Sequence, residues 1–169
     1  MRLVEGTLTV ADTDVLVKRL GEIGDKHDCA VQAFDARYVA GRDHLDRAAT
    51  LADRAIERGE NVARDRAVEI LLYAAGRRQI DRALEMGVGE GEQSAVVLVD
   101  AGDGGGDETD AAAAVEAMVD ESTPAVGVEH ADEARLQAFF DVTDAERAAT
   151  DAALADLVCE RVALLDVEK

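Results

Sequence analysis

Apolar and polar residues alternate from Leu3 to Val10, which predicts a strand. Behind Asp12 or Thr13 as a cap, Val15, Leu16, Leu20 and Ile23 recur at helical spacing, with Gly24 as the expected end. Cys29 to Phe34 reads as a second short strand, and Asp35 as the cap of a turn containing Tyr38 and Val39. From Arg42 to Arg58, Leu45, Ala48, Ala49, Ala52, Ala55 and Ile56 form an apolar stripe that Gly59 closes. A further helix over Ala63 to Ala75 is apolar across most of its width and is expected to be buried. After Gly76, Arg78 to Glu85 is predicted as a short helix with Ile80, Ala83 and Leu84 inward and Gly87 as its stop.

Ser94 to Val99 is a continuous apolar run and predicts a buried strand. Ala101 to Asp107 is a Gly/Asp loop, followed by an Ala-rich helix over Thr109 to Asp120 and a turn at Pro124. Ala125 to Val128 reads as a short strand or an extended segment, and Ala131 to Phe140 as a helix. The last helix, Asp144 to Leu165, carries Leu154, Leu157, Val158, Val162 and Leu165 at helical spacing. The pattern predicts an α/β protein of one domain, with a small mixed sheet packed among several helices.

Composition narrows the interior and the chemistry. Hydrophobic residues make up 48% of the chain but aromatics only 3%, with no Trp, so the core is built from Ala, Val, Leu and Ile. No run approaches the ~20 apolar residues that span a bilayer, and Met1-Arg2-Leu3-Val4-Glu5 lacks the layout of a secretory signal, so a cytoplasmic protein is expected. Cys29 and Cys159 read as buried free thiols, and His27, His44 and His130 share no metal-ligand spacing, so no metal or cofactor is expected. Ser94 and Ser122 sit in no nucleophile context. The glycines from Gly87 to Gly91 follow a helix, and those from Gly102 to Gly106 are flanked by acids, so neither group makes a phosphate loop. No catalytic residue is assigned.

Charge supplies the positive signal. The net charge of −19, with Arg and Asp prominent, resembles adaptation to molar salt, where hydrated carboxylates keep a surface soluble. Residues 1–36 carry 4 basic and 7 acidic groups, residues 37–82 carry 10 and 8, and residues 83–169 carry 4 and 22. Only the middle is net positive. Arg64, Arg66, Arg77, Arg78 and Arg82 cluster on two predicted helices, with Arg78 and Arg82 expected one turn apart on one face. Pairing with Asp65, Glu69, Asp81 or Glu85 is the structural alternative, and Asn61 is a candidate cap for the helix that follows it.

Asn61-Val62-Ala63-Arg64-Asp65, Glu69-Ile70-Leu71-Leu72-Tyr73-Ala74-Ala75-Gly76-Arg77-Arg78-Gln79-Ile80 and Ala83-Leu84-Glu85-Met86-Gly87 resemble one known family. It is the family of the PRPK-binding protein (TPRKB), the smallest core subunit of the KEOPS complex. The resemblance extends to Val31-Gln32-Ala33-Phe34, to Ala40-Gly41-Arg42-Asp43-His44-Leu45 and to Leu154 through Val167, and is weakest over residues 101–130. With the acidic composition it points to a haloarchaeal member. The resemblance implies a non-enzymatic subunit with an α/β fold. Such a subunit binds and stimulates the kinase-like ATPase subunit and helps bring tRNA by its 3′ CCA end. Another subunit, the catalytic threonylcarbamoyltransferase, installs the threonylcarbamoyl group on tRNA.

Two sets of residues are expected to matter on this basis. Asn61, Arg64, Arg77, Arg78 and Arg82 are the candidates for tRNA, because guanidiniums pair with phosphate and stack on unpaired bases. Leu154, Leu157, Val158 and Val162 are the candidates for the kinase subunit, against the alternative that this stripe is internal core. Two other readings stand beside these: a protein-only scaffold without tRNA binding, and a small domain that binds an anionic metabolite at Arg64, Arg77 and Arg78.

Overall fold

The computed structural model describes residues 1–120 and 131–168. In chain order the elements are β1 (Arg2–Val10), α1 (Thr13–His27), β2 (Ala30–Asp35), α2 (Arg42–Arg58), α3 (Arg66–Ala75) and α4 (Ile80–Ala83). They continue with β3 (Gly91–Asp100), α5 (Glu108–Glu116), α6 (Glu133–Phe139), α7 (Asp144–Ala148) and α8 (Leu154–Val167). Single 3-10 turns cover Ala36–Tyr38 and Leu84–Met86. The turn expected at Pro124 and the extended segment at Ala125 to Val128 lie outside the described residues. Among the described residues no helix is long and apolar enough to cross a membrane.

The contacts gather into two compact units, one of residues 1–36 and 87–125 and the other of residues 37–86 and 126–169. The first holds the sheet, in the order β1-β3-β2. The α/β class is as the hydrophobic pattern predicts, but both pairings are antiparallel. α1 reverses the chain so that β1 and β2 run the same way, and β3 then returns between them. Register sets Val4 opposite Val97 and Val97 opposite Ala33, a row of inward side chains across three strands. Leu16 and Leu20 of α1 and Ala111, Ala112 and Val115 of α5 close over this face. β3 is central and buried on both faces from Ala95 onward, which is why it reads as an unbroken apolar run.

α1 begins as expected, with Asp12 Oδ1 accepting from the amides of Asp14 and Val15 at 2.9 and 3.4 Å. It does not stop at Gly24. It continues to His27, and Asp28 takes the left-handed end with φ 54°. Gly24 instead allows a close approach, since a Cβ there would stand 2.6 Å from the Cys29 carbonyl oxygen.

The second unit is helical. α2 has its expected bounds, and Gly59 ends it at φ 69°. Its apolar stripe packs on α3 and α8. His44 lies wholly inside. Its Nδ1 accepts from Ala40 N at 3.1 Å, so Nε2 carries the proton and donates to Ala74 O at 2.7 Å. One imidazole thus ties the start of α2 to the end of α3, edge-on to Phe140.

The expected last helix is two. Thr143 caps α7, and Ala153 N donates to Asp156 Oδ2 at 3.1 Å to start α8. Asp144, Ala145 and Glu146 bury nothing, so no apolar stripe supports a helix continuous with α8. Arg161 holds the pieces together, donating to Phe140 O at 3.1 Å and pairing with Glu146 at 2.6 Å.

Candidate functional site

The arginine-bearing segment belongs entirely to the second unit. Between α2 and α3 the chain makes a tight loop. Asn61 Nδ2 donates to Ala63 O at 2.8 Å, and Glu69, buried on α3, accepts from Val62 N at 3.1 Å and Ala63 N at 2.8 Å through one oxygen. Those amides thus find their acceptor in a side chain of α3 and not in a helix ladder. α3 starts at Arg66 with Asp65 as its cap, accepting from Ala67 N and Val68 N at 2.8 and 3.2 Å. Asn61 is therefore a loop-stabilising residue and not the helix cap.

The arginines divide by what already occupies them. Arg66 forms a bidentate pair with Asp53 at 2.6 and 2.9 Å and is committed to the fold. Arg77 is half-buried: it donates to Gly76 O at 3.3 Å and to Phe139 O, with its guanidinium 4.8 Å over the Phe139 ring. Those bonds supply partners to carbonyls at the ends of α3 and α6. Arg82 is exposed and meets Glu85 at 3.7 Å, a surface pair of small worth. Arg64 and Arg78 are exposed and make no hydrogen bond or ion pair among the described residues.

The shared face expected for Arg78 and Arg82 does not form. Gly76 ends α3 at φ 60°, Arg78 lies in the bend after it, and α4 has only four residues behind Gln79. So short a helix has no inward stripe. Ala83 and Met86 are buried, whereas Ile80 and Leu84, expected inward, are 42% and 58% exposed. Glu60 and Val62 of one loop and Arg77 and Arg78 of the other line a single notch with Glu69 and Tyr73, so the two loops flanking α3 sit side by side. The notch encloses about 10 Å³.

Leu154, Leu157, Val158 and Val162 all lie in the interior, the last two with no exposed surface, where they hold α8 against its own unit. Outside this stripe α8 exposes Leu164 and Val167 toward its end, and it turns Asp156, Cys159, Glu160 and Ala163 toward α2. With Asp43, Asp46, Arg47 and Arg54 of α2 they line an open groove of about 590 Å³. Burial pushes the Cys159 thiol above its ordinary range; Arg47 opposes this, and Asp43 and Asp156 add to it. Both cysteines are half-buried free thiols, not fully buried ones. The groove was not legible in the sequence, because two helices distant in the chain form it. Glu69, read from the sequence as a candidate partner of the arginines, instead accepts from the Val62 and Ala63 amides.

No curated protein matches the chain. Over residues 9–166 it matches the model of the kinase binding protein CGI-121, the same family that its Asn61 to Gly87 motifs resemble. The chain belongs to the CGI-121 kinase-binding family.

Proposed function

We propose that this chain is the small accessory subunit of a KEOPS complex: it binds and stimulates the kinase-like ATPase subunit and helps present tRNA, by its 3′ CCA end, to the catalytic threonylcarbamoyltransferase subunit. The observation that carries the tRNA half is the pair Arg64 and Arg78. In a chain with 37 acidic and 18 basic residues, these two exposed cations have no partner among the described residues. Each keeps a planar set of N–H donors free to take a phosphate in bidentate fashion or to stack on an unpaired base. Asn61 and Arg82 flank them. Arg77 supports the surface from inside, since it bonds the Gly76 and Phe139 carbonyls and lies over the Phe139 ring.

Kinase binding is the family's property, and the groove between α2 and α8 is the surface that favours it here. It is an open groove of about 590 Å³, and both signs of charge line it. The anionic-metabolite reading loses support, because the notch at Arg77 and Arg78, about 10 Å³, holds no more than the roughly 10–15 Å³ that a single water molecule needs.

The test is a gel-shift with intact tRNA and with tRNA lacking CCA. Arg78→Glu with Arg82→Glu is expected to abolish the shift of intact tRNA at matched salt, while co-purification with the kinase subunit persists. Asp46→Arg with Glu160→Arg is expected to do the reverse. Intact tRNA binding by the first variant refutes the tRNA surface, and intact co-purification by the second refutes the groove.

A further inference from the structure

The geometry points to Glu69 as a positioning residue for RNA recognition, one that sets the direction of Arg64 without touching the ligand. The inference rests on the tRNA reading above. Glu69 is 2% exposed and negatively charged, so it cannot meet a phosphate. Its carboxylate accepts from the amides of Val62 and Ala63 at 3.1 and 2.8 Å. Arg64 is the next residue. The Asn61 side chain closes the same loop onto Ala63 O at 2.8 Å, so the amides of Val62 and Ala63 and the carbonyl of Ala63 are all engaged.

The consequence is entropic. An arginine on a free loop must surrender backbone as well as side-chain freedom when it grips a flexible RNA end, whereas here the backbone is already ordered. This matters more as salt rises, because counterion release then contributes little and pre-ordered hydrogen bonding and stacking carry the affinity. Without the carboxylate, two amides lose a charged acceptor, the loop opens to water, and Arg64 samples many directions.

Glu69→Ala, Glu69→Gln and, as a contact reference, Arg64→Ala separate the roles. Each is measured for tRNA affinity across a salt series, kinase-subunit affinity and thermal melting. Glu69→Ala is expected to weaken tRNA binding about tenfold, the worth of one charge-assisted hydrogen bond, with the salt slope and kinase affinity unchanged. Glu69→Gln keeps an oxygen for the two amides and is expected to restore affinity to within about twofold of the parent. Arg64→Ala is expected to weaken binding and lower the salt slope by about 0.7, the signature of one lost single-strand phosphate contact. Should Glu69→Ala not fold, Glu69→Asp, which withdraws the carboxylate by one methylene, carries the same expectation.

Wild-type tRNA affinity in Glu69→Ala (or in Glu69→Asp where that replaces it), a slope change like that of Arg64→Ala, or equal losses for tRNA and the kinase subunit overturns the positioning role. A null result at Arg64 together with Arg78→Glu, Arg82→Glu overturns the tRNA reading itself and this inference with it. The Glu69 variants failing alone overturns only the inference.

Discussion

His44 shows how one buried side chain makes stability depend on pH. Burial lowers its pKa from 6.5 to about 4, partly opposed by the bond to Ala74 O. The unfolded chain therefore takes up this proton below about 6.5 while the folded chain refuses it until about 4. The contribution is fully present above the upper value and is lost as pH falls through that window. It amounts to roughly 3 kcal/mol at its limit. Denaturant melts of wild type and His44→Gln between these pH values test it: the wild-type midpoint is expected to fall more steeply on acidification, and parallel curves would show that His44 is not the group responsible. The thiols follow similar logic. Burial, then the acids around each, hold Cys29 and Cys159 protonated, with only Arg47 acting against this at Cys159. Both are expected to alkylate more slowly than free cysteine at pH 8, a difference that a thiol-reagent time course reads directly.

At the level of elements, α1 contains two glycines with opposite consequences. Gly21 has nothing within 4 Å of an added Cβ, while Gly24 would drive one against the Cys29 backbone. Gly21→Ala is expected to raise stability by up to about 1 kcal/mol through helix propensity. Gly24→Ala is expected to lower it by about 1–3 kcal/mol through overlap that backbone atoms cannot relieve. Equal effects in thermal melts would refute the close approach. α8 offers a second contrast. Val158→Asp places an unpaired charge in the interior and is expected to cost more than about 3 kcal/mol, so its failure to bind a partner would report unfolding and not an interface. Asp46→Arg and Glu160→Arg, on the groove, are expected to leave the melting temperature nearly unchanged. Element boundaries were legible where a side chain or glycine caps the helix, as at Asp12 and Gly59. They were misread at Ala63, whose amide is held by the Glu69 side chain, and across residues 149–153, where the preceding α7 buries no apolar stripe.

For the whole molecule, a net charge of −19 on 169 residues means self-repulsion. Raising monovalent salt from about 0.1 to 1 M shortens the screening length from about 10 to 3 Å. The melting temperature is expected to rise over that range, and a flat response would show that the surface carboxylates are too far apart to interact. Both compact units draw on two stretches of chain, 1–36 with 87–125 and 37–86 with 126–169, and each carries part of the acidic excess.

The period of apolar residues, the caps and the isolated positive segment are local properties, so the α/β class, most elements and the family resemblance were readable from the sequence by itself. Which arginines remain free was not. That depends on whether a carbonyl at Phe139 or a carboxylate at Asp53 reaches the guanidinium first, and those partners lie 62 and 13 residues away in the chain. The same holds for the Leu/Val stripe of α8, whose spacing is identical for a core face and a docking face. Only packing against α2 separates them, by burying the stripe and leaving Asp156, Cys159, Glu160 and Ala163 to line the groove.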